Sequence, residues 1–187
     1  MRSSRAPPPF RVQRSAIHGT GVFATRRIRR GTRIVEYLGE RVSHAEANRR
    51  YLGKDAHDNH TFLFTIDSRV VIDAAVGGND ARFINHCCDP NCETVMQDRR
   101  VFIEAVRDIE PGDELVYDYM IRHEAGDPPN IEQIFACHCG AATCRGTMLL
   151  KQEVPGKPEK KPGAARRRAP RAAAVVDSLT GARPGSR

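Results

Sequence analysis

Asn85-His86 lies between the apolar turn Arg82-Phe83-Ile84 and the run Cys87-Cys88-Asp89-Pro90-Asn91. An amide and an imidazole side by side can both donate and accept, so the pair can grip a polar ligand. In isolation such a pair more often satisfies buried backbone groups. Further along, Glu114-Leu115-Val116-Tyr117-Asp118-Tyr119 sets two phenols two residues apart, on one face of a strand. A phenol there can orient a reacting group or simply alternate with its neighbours in a core. Cys137-x-Cys139-x4-Cys144 supplies three thiols close in sequence. Tetrahedral zinc takes four ligands, with Zn–S near ~2.3 Å. The fourth would come from Cys88 or Cys87, or from His138; free thiols or disulfides are the alternatives. Upstream, His18-Gly19-Thr20-Gly21 removes two Cβ atoms and lets backbone approach a ligand closely. With no third glycine and no following helix, the loop does not fit a dinucleotide fingerprint.

The elements that must position these groups are short. Residues 22–24, 33–37, 61–66, 70–72 and 100–105 are β-branched or aromatic and brief, which predicts strands. Arg30-Gly31 and Glu110-Pro111-Gly112-Asp113 read as turns. Ser43 and Glu46 fit the N-cap and capping-box positions of a helix running to about Tyr51. Residues 81–84 suit one helical turn. Small strands with few helices point to a β-rich domain. The missing strand-helix alternation argues against a doubly wound sheet.

The chain has 187 residues and a formal charge of +7. That length allows one domain with a real core, plus tails. Residues 1–11 read as a loose arm. Residues 151–187 hold ten basic and three acidic residues and no aromatics, a composition that predicts disorder, with residues 172–176 able to form a short helix on a partner. Residues 15–150 hold sixteen basic and twenty acidic residues. The middle therefore suits a basic peptide, and the 151–187 tail suits non-specific contact with nucleic acid. Apolar runs are far shorter than the ~20 residues that span a bilayer, so no membrane partner is expected. No secretory leader is evident, so the six cysteines are expected in a reducing, intracellular compartment, either cytoplasm and nucleoid or nucleus and chromosome.

Taken together, the glycine loop, Glu36-Tyr37-Leu38-Gly39-Glu40, the Asn-His-Cys-Cys run, the Tyr-x-Tyr strand and the cysteine spacing resemble the SET-domain protein lysine methyltransferases with a post-SET zinc segment. The resemblance covers residues 10–150. It implies a mainly β (β-rich α+β) SET fold of small curved sheets with a C-terminal pseudoknot. The corresponding division is an arm (1–11), a SET domain (12–122), a post-SET segment (123–150) and a basic tail (151–187). The implied activity is methyl transfer from S-adenosylmethionine to lysine in a histone or histone-like tail. The alternative is a catalytically inactive SET-fold module that binds chromatin or a nucleoid through its tail. The resemblance assigns catalysis to Tyr119, with Tyr117 setting how many methyls are added. It assigns cofactor contacts to His18, Gly19, Thr20, Gly21, Phe62, Asn85, His86, Tyr119 and His138. Structural zinc falls to Cys88, Cys137, Cys139 and Cys144, with Cys92 left to pack nearby. Glu114 and Asp118 are expected to be hydrogen-bond partners within the fold. Two positions depart from the family: Cys87 stands where serine is common, and Phe62 stands where a tyrosine helps line the lysine channel.

Overall fold

A computed structural model of the chain describes residues 7–51, 61–123 and 126–151. The basic tail from residue 152, with its expected helix at 172–176, and Arg2 and Arg5 of the arm lie outside the described residues. The strands are β1 (Phe10–Arg14), β2 (Thr20–Ala24), β3 (Arg33–Glu36), β4 (Glu40–Val42), β5 (Leu63–Thr65), β6 (Val71–Asp73), β7 (Asn85–His86), β8 (Cys92–Gln97), β9 (Arg100–Ala105) and β10 (Glu114–Tyr117). Two short helices, α1 (His44–Tyr51) and α2 (Ile131–Ile134), and a 3-10 turn at Asp80–Phe83 accompany them. Among the described residues no helix is long and apolar enough to cross a membrane.

The strands form two sheets. The larger runs β1-β2-β10-β8-β9-β3, with β7 pairing β10; the smaller is β4-β6-β5. Val22, Phe64, Ile84, Ile103, Ile109 and Leu115 are among the most deeply buried side chains of the main core. β10 enters late in the chain yet lies between β2 on one side and the parallel β7 and β8 on the other. Asn91 clamps it there: its Nδ2 donates to the Glu114 carbonyl, and its Oδ1 accepts from the Val116 N–H. This insertion of a C-terminal strand against the 84–92 loop puts Tyr117 and Tyr119 beside Asn85 and His86.

Local chemistry explains several elements. Ser43 Oγ accepts the Glu46 N–H at 3.2 Å, the N-cap bond expected for α1. The Glu46 carboxylate faces Arg49 and Arg50. β8 and β9 meet at Asp98 and Arg99, both with positive φ (50° and 61°), as a two-residue I′ hairpin requires. Arg99 in this conformation is held by its ion pair to Asp67 and by its carbonyl, which accepts from Arg41.

The structure changes some expectations. Strand β1 begins at Phe10, inside the expected loose arm. Phe10 is buried, pairs with Ala24 and joins the main core. Pro9 adds a bond from its carbonyl to the Thr25 N–H. One buried aromatic and a full register of ladder bonds offset the ordering cost that composition alone suggested. Strands β4, β7 and β8 and helix α2 carry no strong sequence signal. Cys92 belongs to the main core on β8, opposite Ala105 and beside Tyr117.

Candidate active site and cysteine cluster

A cavity of about 410 Å³ opens where β10, β7, the 3-10 turn and α2 converge. His18, Thr20, Phe62, Asn85, His86, Tyr117, Tyr119 and His138 all line it, eight side chains drawn from five separate parts of the sequence. Gly19 and Gly21 are not among its lining residues. Tyr37, Arg82, Phe83 and Phe135 also line it. Arg82 and Phe83 stood within the motif read first, but neither spacing nor chemistry marked them as lining residues. Phe135 is delivered by α2, which the sequence did not announce.

Asn85 is fixed from three sides. Its Nδ2 lies 3.2 Å from the His18 carbonyl, 3.1 Å from the Thr20 carbonyl and 2.8 Å from Glu114 Oε1. Ser15 Oγ donates to the other Glu114 oxygen at 2.9 Å. Glu114 is therefore a positioning group for the glycine loop and the Asn85 amide, as expected of a partner within the fold. The same carboxylate explains Gly21. A Cβ at Gly21 would fall 2.3 Å from Glu114 Oε1 and 2.9 Å from Ser15 Cβ. The glycine makes room for this half-buried carboxylate. Gly21→Ala is expected to cost about 1–3 kcal/mol of stability by urea unfolding, and to weaken ligand binding by displacing Glu114. Unchanged unfolding would show that Glu114 swings aside freely.

His86 is buried against Tyr119, the rings edge-to-face with centroids 5.3 Å apart. Its Nδ1 accepts the Tyr119 N–H at 3.2 Å, which leaves the proton on Nε2, 3.4 Å from Cys88 Sγ. Burial, aided by the Arg145 guanidinium and opposed by Asp118, holds His86 down to about 4. The imidazole is thus neutral at ordinary pH, so its 3.5 Å approach to Asp118 is not an ion pair. Asp118 instead takes the bidentate Arg145 guanidinium at 2.8 and 3.0 Å. That pair ties the end of β10 to the cysteine segment.

The two phenols stand 5.0 Å apart, tilted by 49°. Tyr119 Oη donates to the Ile84 carbonyl at 3.0 Å, and Tyr37 Oη to the Phe62 carbonyl at 3.1 Å. Burial pushes Tyr119, Tyr117 and Tyr37 above the ordinary phenol range, with neighbouring Glu114 or tyrosine oxygens adding to it. All three stay protonated at neutral pH. They can orient a ligand and shape a wall, and they are poor bases. Phe62, without a hydroxyl, keeps an apolar wall and meets Phe83 edge-on at 5.8 Å.

Beside the cavity, the sulfurs of Cys88, Cys137, Cys139 and Cys144 all lie within 4.8 Å of one another. Cys88 Sγ is 3.8 Å from Cys137 Sγ and 4.0 Å from Cys144 Sγ. Four sulfurs around zinc at ~2.3 Å would stand about 3.8 Å apart, so this set fits a closed tetrahedral site. Backbone N–H groups of Arg145 and Gly146 point at Cys88 and Cys144 sulfurs, each at 3.4 Å, as second-layer donors to metal thiolates do. Burial raises the Cys137 thiol; for Cys139 burial is outweighed by hydrogen bonds from the Cys88 and Ala141 backbone, which bring it to about 6. His138 lines the cavity, between two of the cysteines. Cys87 is buried, and burial first, then the Cys139 and Cys88 sulfurs, push its thiol up to about 11. It occupies the serine position as an inert small side chain.

Comparison with known proteins agrees with this architecture. The SET domain family model matches residues 19–120. The histone-lysine N-methyltransferase, H3 lysine-4 specific, of Saccharomyces cerevisiae is 42% identical over 145 residues, covering 74% of this chain and 13% of that protein. Drosophila melanogaster histone-lysine N-methyltransferase trithorax is 38% identical over 138 residues, covering 72% of this chain and 4% of its own length. The chain thus spans only a small part of these relatives. Among solved structures, ctPRC2 in an autoinhibited conformation bound to S-adenosylmethionine superposes with a TM-score of 0.56 at 33% identity, over 61% of this chain and 15% of that one. With a family model matching more than half its length, on a mainly β fold of two small sheets shared with such enzymes, this chain belongs to the SET-domain family.

Proposed function

We propose that the protein is a protein-lysine N-methyltransferase that uses S-adenosylmethionine and acts on a histone or histone-like basic tail. The observation that carries this reading is the cavity itself: two protonated phenols, Tyr117 and Tyr119, beside the Asn85-His86 pair, under a wall of Phe62 and Phe83. S-adenosylmethionine would supply a cationic sulfonium whose methyl carbon is open to direct displacement. His18, Thr20, Asn85 and His86 would hold its polar end, with His138 of the cysteine segment closing over it. The chain's remaining task is to present an uncharged amine in line with that methyl. A free lysine titrates near 10.4, and an apolar wall disfavours its charged form. Tyr119 and Tyr117 would fix the nitrogen's direction, and alignment of this kind is a large part of the rate. Lysine's proton leaves to solvent before the nitrogen attacks.

Zinc fits the four-cysteine cluster, where it would act structurally by cross-linking the loop at Cys88 to the segment at 137–144. The similar proteins are named for histones, so we place the reaction at chromatin; the comparisons give a cytoplasmic or nucleoid setting no support. The direct test is labelled methyl transfer to purified histones, other basic proteins and the enzyme itself, with the modified residue mapped. Histone H3 is the first substrate to try. Absence of transfer to every basic protein, together with no S-adenosylmethionine binding by calorimetry, would overturn the reading.

Product number should be set by Tyr117, whose ring is buried beneath Tyr119. The wild-type chain is expected to stop chiefly at mono- or dimethyl-lysine. Tyr117→Phe removes one oxygen from the pocket and should raise the methylation state. Mass spectrometry showing mainly trimethyl-lysine from the wild type at early turnover would contradict this.

A further inference from the structure

Of the side chains lining the cavity, none of the described residues is a carboxylate, and one, Arg82, is permanently cationic. Its guanidinium carbon stands 4.7 Å from the Phe83 ring centre and 5.5 Å from that of Phe62. Arg82 Nη1 donates to the Ala74 carbonyl at 3.1 Å. Its Nε is buried and has no hydrogen-bond partner among the described residues. No carboxylate among them pairs with it, whereas Arg50, Arg100 and Arg145 all have one. A guanidinium this poorly compensated keeps its field in a low-dielectric wall, where charges act over longer distances than in water. That field reaches the cavity's phenols, where it works against nearby carboxylates: Asp73 adds to the upward push that burial gives Tyr37, Arg82 opposes it, and Glu114 acts on Tyr119 in the same sense as Asp73.

We propose that Arg82 is an electrostatic positioning residue for methyl transfer: its charge, paired with no carboxylate among the described residues and set against the Phe62 and Phe83 rings, disfavours lysine's ammonium and so raises the fraction of neutral amine in the pocket. This rests on the methyltransferase reading above. The two aromatic rings hold the charge at the cavity wall. Like charges disfavour each other's ionised state, so the sign is set: with Arg82 present the bound amine titrates lower, and without it the amine titrates higher.

The test is the pH dependence of kcat at saturating S-adenosylmethionine and lysine peptide, which reports groups titrating in the bound complex, measured for wild type, Arg82→Met and Arg82→Lys. Transfer by the wild type establishes the underlying activity independently. Arg82→Met should move the acidic limb to higher pH by about half to one unit, which is a loss of roughly three- to tenfold at pH values on that limb. Arg82→Lys, which retains the charge, should keep the limb near its wild-type position. S-adenosylmethionine binding by calorimetry reports whether the variants fold. A second measurement replaces the target lysine with its thia-analogue, whose amine is intrinsically more acidic. That substrate should narrow the gap between Arg82→Met and wild type, which a purely structural defect would not do. An acidic limb unmoved in Arg82→Met, or an equal loss on both substrates, overturns the proposal. Should Arg82→Met not fold, Arg82→Gln with the thia-analogue gives the same comparison.

Discussion

Tyr119→Phe should lower kcat by about a hundredfold or more while leaving S-adenosylmethionine affinity within a few-fold of wild type. Phenylalanine keeps the ring against His86 and Tyr117 and removes only the hydroxyl bonded to the Ile84 carbonyl. A misdirected nucleophile about 1 Å from its proper place loses on the order of 10²-fold in rate. Leaving a carbonyl without its partner also costs about 1–3 kcal/mol of stability, so unfolding should be measured alongside. The pH profile separates two roles for this phenol. Because burial holds Tyr119 protonated through the neutral range, its loss should lower the rate by the same factor across that range. A Tyr119→Phe defect that vanished at low pH would mean the phenol acts as a base. An inactive SET-fold binding module predicts something else again: no transfer by either form and no change in ligand affinity.

Much of the site was legible because its chemistry is concentrated in short runs. Asn85-His86, Tyr117-x-Tyr119 and the cysteine spacing each say what they can do, and one inserted strand brings the first two together. The register of β10 against β7 was not legible. It depends on Asn91, whose side chain bonds a carbonyl and an N–H on one edge of a strand 23 to 25 residues away. Gly21 was legible as a close approach, but not what approaches it. The Glu114 carboxylate comes from 93 positions downstream, and no local pattern encodes that contact. Arg82 and Phe135 were unreadable as lining residues for a similar reason. One sits in a 3-10 turn and the other follows a four-residue helix, neither long enough to show a period. Phe10 shows the opposite failure, where composition suggested a loose arm and a single aromatic in a β register overrode it.

Removing zinc should weaken cofactor binding at least tenfold while leaving the main sheet folded, because the two regions are stabilised by different means. The sheet has a broad core through β2, β8, β9 and β10. Residues 121–151 have a small one, Ile121, Ile131, Phe135 and Leu149. Beyond that they are tied by the Leu150 N–H to the Ile121 carbonyl at 2.7 Å, by Met148 to Phe135 at 2.8 Å, and by Arg145 to Asp118. Four buried side chains are little against the backbone entropy of such a segment, about 1–2 kcal/mol per residue. A structural zinc contributes roughly 10–16 kcal/mol in small peptides at neutral pH, enough to decide the balance. A chelator with a colour readout should extract one zinc per chain. Hydrogen exchange should then rise across 121–151 and stay slow in β8 and β9. S-adenosylmethionine affinity should fall at least tenfold, since His138 and Phe135 would no longer close the cavity, and added zinc should restore it. Cys144→Ser should reproduce the loss, because three thiolates leave the tetrahedron open. Acid should weaken the site as well, since protons compete with the metal for each thiolate. Cofactor affinity and exchange at 121–151 both unmoved by complete metal removal would mean that the four sulfurs are packed together for some other reason.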